Sequence, residues 1–229
     1  MEKNINTISI IVPTYEMYGM GADFLRKNFN SIVEQTHQPF EVVVPDNSDD
    51  DTIAKVCDEY VGKLPIKYFK NPSKGMAQNT NAGVKAATGA IIKILYMDDR
   101  FANKNAIENL VKAFTTGVAW VATGCLHDEN GAVVRPHMPS YNHDIYAGNN
   151  TIGSPSVVAF VNKDVILMDE SMTWLLDCDL YARMYKLHGA PKFIYSCDVV
   201  IGIGKHQTTN ALSDALKENE RQYMLKKVI

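Results

Sequence analysis

Residues 66–99 read IKYFKNPSKGMAQNTNAGVKAATGAIIKILYMDD, and the order of patterns in this stretch decides the fold. Ile66–Phe69 reads as a strand, Gly75–Ala87 as a helix, and Ala90–Tyr96 as a second strand that ends at Asp98-Asp99. Strand, helix and strand in that order form a β-α-β unit, whose two strands lie parallel. The same alternation extends outward on both sides. Ile8–Val12 is a run of β-branched residues, the signature of a buried parallel strand. A loop with Gly19 and Gly21 follows, then a helical stretch from about Asp23 to Gln35. Glu41–Val44 predicts a strand, and Asp50–Val61 predicts a helix with Ile53, Val56 and Tyr60 at helical spacing. Asn105–Phe114 reads as helix and Val118–Ala122 as strand. The expected fold class is α/β: a mostly parallel central sheet flanked by helices, in a single domain.

In such sheets ligands sit beyond the carboxyl ends of the strands. Polar clusters stand at those ends: Pro13-Thr14-Tyr15, Asp46-Asn47-Ser48, Asn71 and Asp98-Asp99. The second half is less regular. His127–Val134 contains Asp-Glu-Asn-Gly, a hairpin turn signal. Arg135–Thr151 is polar and aperiodic, which predicts a long mobile loop able to act as a lid. Val157–Val161 and Val199–Ile203 predict strands, Leu175–Leu187 a helix, and Ala211–Val228 an amphipathic helix.

The bulk numbers bound the function. A chain of 229 residues, 46% apolar and 21% charged, has room for one α/β core. A net charge of -3 gives no bulk drive toward nucleic acid or an anionic membrane. No apolar run approaches the roughly 20 residues that span a bilayer, and the start of the chain lacks a signal-peptide pattern. Cys57, Cys125, Cys178 and Cys197 show no CxxC spacing, so neither a zinc cluster nor a disulfide framework is expected. The expected compartment is the cytoplasm, where the sequon at Asn149 carries no meaning.

Several residues carry the chemistry. Asp98 and Asp99 are adjacent carboxylates that a Mg²⁺ or Mn²⁺ ion would reconcile; they also suit a turn or a helix cap. Asp46 can accept hydrogen bonds from a nucleobase or ribose, while Asp50 or Asp51 caps the next helix. Asp177 and Asp179 point to different helix faces. One is a candidate general base and the other structural, with Arg183 four residues beyond Asp179 as its partner. His206 follows a strand and could complete a metal site or serve structure. There is no Walker A loop, dinucleotide fingerprint or GxSxG elbow.

Together these pieces resemble the family 2 inverting glycosyltransferases of the GT-A fold. ISIIVPTYE resembles the family's opening, with Glu16 in place of its Asn. FNSIVEQTHQPFEVVVPDNSDDDT and NPSKGMAQNTNAGVKAATGAIIKILYMDD resemble its next two blocks. IGSPSVVAF, LLDCDLYARM and KHQTT resemble its acceptor, base and terminal histidine motifs. The resemblance implies one Rossmann-like GT-A domain over residues 1–229, with about 1–100 as the nucleotide-binding half and about 101–229 as the acceptor-binding half. It implies a nucleoside-diphosphate sugar bound by Pro13, Thr14, Tyr15, Asp46, Asn81 and Asp98. It also implies Mn²⁺ or Mg²⁺ on Asp99 and His206, and Asp177 as base. Lys74, Arg100 or Lys205 would help at the diphosphate. Two departures stand out: Arg100 after the Asp-Asp pair, and Leu176 where the family carries Glu, which leaves Asp179 as a rival base. The expected acceptor is a saccharide or another hydroxyl, including a lipid-linked sugar. Nucleic acid is disfavoured by charge, and a homo-oligomer is left open. The rival readings are a nucleotidyltransferase, which lacks its basic loop here, and a non-catalytic nucleotide-sugar binder.

Overall fold

The computed structural model describes residues 6–129, 131–205 and 207–228. The first four strands are β1 (Ile8–Ile11), β2 (Glu41–Asp46), β3 (Ile66–Lys70) and β4 (Ile91–Ile94). Between them run α1 (Gly21–Val33), α2 (Thr52–Glu59) and α3 (Met76–Ala86). Every residue of β1 is fully buried, as a parallel strand covered by helices on both faces must be. Its one polar side chain, Ser9, donates to Glu41 Oε1 at 2.6 Å. Helix α3 lies close on this sheet because of Gly83. A Cβ there would stand 2.3 Å from Ile11 Cγ2.

The chain continues through β5 (Arg100–Phe101), α4 (Ala106–Ala113), β6 (Trp120–Glu129), β7 (Ala132–His137) and β8 (Val158–Val161). It ends with α5 (Leu176–His188), β9 (Lys192–Ile203) and α6 (Asp214–Val228). Among the described residues the sheet order is β3-β2-β1-β4-β8-β6-β9-β5, with β7 paired on β6. Strands β3, β2, β1 and β4 are parallel, as expected. Beyond β4 the sheet is mixed: β8 runs antiparallel to both β4 and β6, and β9 runs parallel to β6.

Three sequence expectations change. The late strand begins at Lys192 rather than Val199, because Lys192–Ile194 already pair with Val121–Thr123 of β6, ahead of a register slip between Thr123 and Cys125. The segment 135–151 is not a free loop. Its start belongs to β7, Ile145 is fully buried, and the Tyr141 ring stacks on Tyr185 of α5 with centroids 4.0 Å apart. Finally, α6 is only weakly amphipathic: Glu220 and Met224 are its buried residues among those described, and one of these is a carboxylate.

Candidate active site

The carboxyl ends of β1, β2 and β3 are tied together by side-chain amides. Asn79 Nδ2 donates to Thr14 O and Pro45 O, both at 3.0 Å. Asn47 Nδ2 donates to Asn71 O at 2.8 Å, and Asn71 Nδ2 donates to Asn79 Oδ1 at 3.1 Å. On the other side of the sheet's midline, Asn28 of α1 reaches the turn after β4. Its Nδ2 donates to Tyr96 O at 3.0 Å and Asp99 O at 2.8 Å. Beside the turn after β4 lies a cleft of about 380 Å³, lined by Lys27, Asp98, Asp99, Arg100 and Lys205 among others.

Asp98 is half-buried on the cleft wall and Asp99 is 3% exposed beside it. Asp99 Oδ1 accepts the Gly202 N–H of β9 at 2.9 Å. Burial, and then the neighbouring Asp98 charge, hold the Asp99 carboxyl well above the usual carboxylate range. Beneath the turn, Lys93 is fully buried and its Nζ donates to Ser156 O. Burial pushes that amine down to about 7, against the pull of Asp99 and Asp198. A divalent cation fits here on chemical grounds. The donors are hard oxygens, and the crowding that makes Asp99 hard to ionise is what a cation relieves. No set of three or more His, Cys, Asp or Glu side chains converges among the described residues. A Mg²⁺-type site needs only one or two carboxylates when substrate phosphates complete it. His206 lies outside the described residues.

Asp177 stands in the first turn of α5 and is not among the residues that line the cleft. Asn150 Nδ2 donates to its Oδ2 at 2.7 Å, and the Cys178 N–H donates to its Oδ1 at 2.7 Å. Burial raises its carboxyl pKa although these hydrogen bonds oppose the shift. The Tyr96 hydroxyl is raised first by burial and further by the charges of Asp177, Asp99 and Asp98. That of Tyr15 is pushed up to about 12 by burial, Tyr18 and Asp98.

Other predicted site residues are occupied elsewhere. Asp46 is fully buried, and each of its oxygens has two partners. Oδ1 accepts Ser48 N–H at 2.8 Å and Ser48 Oγ at 2.5 Å, and Oδ2 accepts Tyr68 OH at 2.9 Å and pairs with Lys70 Nζ at 2.9 Å. A nucleobase would have to displace Tyr68 or Lys70 to reach it. Thr14 is also fully buried, its hydroxyl donating to Pro45 O at 3.1 Å, and the adjoining Pro13 is buried. Asn81 is a clasp: Nδ2 donates to Met168 O and Glu170 Oε1, both at 2.9 Å, and Oδ1 accepts Met168 N–H at 2.8 Å. Thr14 and Asn81 thus have their polar groups engaged within the protein, and neither lines the cleft. Lys74 pairs with Asp49 at 2.6 Å, and Arg100 with Asp128 at 2.8 Å across the cleft. Asp179 is 2% exposed, bound to Arg183 at 2.5 Å and to Lys227 at 2.8 Å. Sequence reasoning missed Lys27, Asn150 and Ser156. The discounted sequon contained Asn150, whose role depends on a contact 27 residues away.

Comparison with known proteins agrees with this architecture. The family model described as glycosyl transferase family 2 matches residues 9–171. The GalNAc(5)-diNAcBac-PP-undecaprenol beta-1,3-glucosyltransferase of Campylobacter jejuni is 32% identical over 127 residues, which is 54% of this chain and 40% of that protein. Glycosyltransferase GlyA of Streptococcus pneumoniae is 27% identical over 124 residues, 54% of this chain and 17% of that protein. The chain therefore spans well under half the length of both relatives. S. aureus TarS 1-349 in complex with UDP-GlcNAc superposes with a TM-score of 0.74 at 18% identity, over 96% of this chain and 70% of that one. Mannosyltransferase PcManGT from Pyrobaculum calidifontis, in complex with GDP-Man and Mn²⁺, gives 0.61 at 16% identity over 89% and 59%. The fold is thus of the GT-A type. With its strand order, its acidic turn after β4 and a family match over most of its length, the chain belongs to glycosyltransferase family 2.

Proposed function

We propose that the chain is a metal-dependent inverting glycosyltransferase that moves a sugar from a nucleoside-diphosphate sugar, a UDP-sugar first, onto an acceptor hydroxyl. The observation that carries this reading is the adjacent pair Asp98 and Asp99 on the wall of a cleft that also bears Lys27, Arg100 and Lys205. Asp98 and Asp99 would hold Mg²⁺ or Mn²⁺, with His206 as a further ligand. When bound, the ion offsets negative charge on the diphosphate. Lys27 and Lys205 of the cleft attract the same group, while Arg100 is paired with Asp128.

Asp177 takes the acceptor proton. As the acceptor oxygen bonds to the anomeric carbon, the bond from that carbon to the diphosphate oxygen breaks, and the nucleoside diphosphate departs with the bonding pair. The proton ends on Asp177. Asn150 fixes the carboxylate for this step, a contribution of about 10²–10⁴-fold for a placed base. Asp179 is engaged by Arg183 and Lys227, which leaves one carboxylate for the acceptor side, as a single displacement with inversion requires. Tyr15 serves the nucleoside side, and Pro13, Thr14, Asn81 and Asp46 set its walls. The donor complexes of TarS and PcManGT support the nucleotide-sugar assignment. The undecaprenol-linked substrate in the Campylobacter relative's name supports a saccharide or lipid-linked acceptor. Four free cysteines suit the cytoplasm.

The test is a calorimetric screen of nucleotide sugars with Mn²⁺ or Mg²⁺, followed by transfer assays. Asp99→Ala abolishes metal-dependent donor binding. Asp177→Asn retains donor binding and loses transfer by about 10²–10⁴-fold. An Asp177→Asn enzyme with normal turnover removes Asp177 as the base.

A further inference from the structure

Helix α5, which carries Asp177, begins without a cap of its own. Its N-cap position is Leu175, whose side chain has no acceptor. The turn that leads into α5, residues 173–175, is instead held by a carboxylate of α6. Glu220 Oε1 accepts the Thr173 N–H at 2.7 Å, and Oε2 accepts the N–H groups of Trp174 at 2.8 Å and Leu175 at 2.9 Å. Glu220 is 7% exposed on a helix that is otherwise mostly solvated. A buried carboxylate is costly unless hydrogen-bonded, and these three N–H groups satisfy it. Its negative charge also suits the amino end of α5.

Lys227 lies seven residues further on, two turns along the same face of α6. Its Nζ donates to Asp179 Oδ1 at 2.8 Å and also pairs with Asp169. Arg221 covers the Trp174 ring at 4.8 Å. So α6 grips the chain at residues 173–175 and again at residue 179, on both sides of Asp177. The cleft-lining residues come from other elements.

We infer that Glu220 is a positioning residue for Asp177: it fixes the entry to α5, and with Lys227 it makes α6 a strut for the base. This rests on the reading of Asp177 as base. The strut moves no proton and touches no donor. Removing it should leave nucleotide binding intact and slow the chemical step, because a misplacement of about 1 Å costs up to about 10²-fold.

The experiment uses the full chain with Mn²⁺ and three variants, Glu220→Ala, Glu220→Gln and Glu220→Asp. Affinity for UDP is measured by calorimetry. Turnover is measured on UDP-glucose as release of UDP, and amide protection of residues 173–178 by hydrogen exchange. Expected are a UDP Kd within about twofold of wild type, kcat lower by about 10–100-fold, lost protection at 173–178, and partial recovery in Glu220→Asp. Glu220→Gln keeps the volume and carries the same test if Glu220→Ala fails to fold. Wild-type kcat with lost protection overturns the inference, as does an equal loss of UDP affinity and kcat, which marks a structural role alone. The two readings separate cleanly. An active Asp177→Asn enzyme sinks the base, whereas an inactive Asp177→Asn with a fully active Glu220→Ala sinks only the strut.

Discussion

Gly202 of β9 faces the acidic turn at a distance no side chain tolerates. A Cβ there would stand 2.6 Å from Asp98 O, about 0.8 Å inside ordinary contact, with Asp98 Cβ at 3.5 Å. The glycine also donates its N–H to Asp99 Oδ1 at 2.9 Å. Gly202→Ala must therefore move either β9 or the turn. Strand β9 is held by its ladder to β6 at Asp128. The turn is held by Asn28 and by the Asp99 N–H bond to Tyr96 O at 2.9 Å. Overpacking of this kind costs about 1–3 kcal/mol, and each kcal/mol lowers the melting temperature of a domain this size by about 2–4 °C. The functional loss should be larger than the stability loss implies, because displacement falls on Asp98 and Asp99; a shift near 1 Å costs up to about 10²-fold. Thermal unfolding by circular dichroism and UDP titration with and without Mn²⁺ read the two effects separately. A variant that melts like wild type and keeps its Mn²⁺ dependence would falsify the claim that this contact sets the acidic turn.

Asn150→Ala removes a hydrogen bond that favours ionised Asp177, so its carboxyl pKa rises further. The base works only when deprotonated, so the acid limb of the kcat profile moves to higher pH; a limb that stays in place or moves down contradicts this. Glu41 accepts Ser9 Oγ at 2.6 Å, and Thr88 N–H at 2.6 Å and Oγ at 2.8 Å. Burial raises its pKa, but these bonds outweigh burial and lower it. Its stabilisation is present above the unfolded value near 4.3 and fades as pH falls through the folded value. Glu41→Gln should lose about 1.5–3 kcal/mol at pH 7 in urea unfolding, with the gap closing in acid; a gap independent of pH would argue against the charged contact. Asn79→Ala removes the bonds to Thr14 O and Pro45 O. It should cost about 1–3 kcal/mol for the pair and weaken UDP binding, and unchanged calorimetry would show that the rim does not shape the nucleoside pocket.

The parallel half of the sheet was legible because burial on both faces favours runs rich in β-branched residues such as Ile8–Val12, in which Ser9 is the one polar side chain. The mixed half was not. Lys192–Cys197 has no clean period, and its pairing with β6 depends on a register slip invisible in one strand. Acidic residues could be found by type but not by occupation. Asp46 and Asp99 both follow apolar strands, yet Asp46 is closed off by Tyr68 and Lys70 while Asp99 faces a cleft. Asp177 and Asp179 differ in their partners, and one partner of Asp179, Lys227, lies 48 residues beyond it, out of reach of any helical spacing. The Asp179–Arg183 pair was readable from helical spacing alone.

The amide ties among Asn47, Asn71 and Asn79 have a further consequence. Uncharged crosslinks keep their strength across pH and ionic strength, whereas exposed ion pairs do not. On the proposed reading, a dianionic leaving group and a dication could enter and exit without altering these amide ties. The electrical events of each turnover would then fall at Asp98, Asp99 and the flanking cations, while the ties would hold the ends of β1, β2 and β3 unchanged.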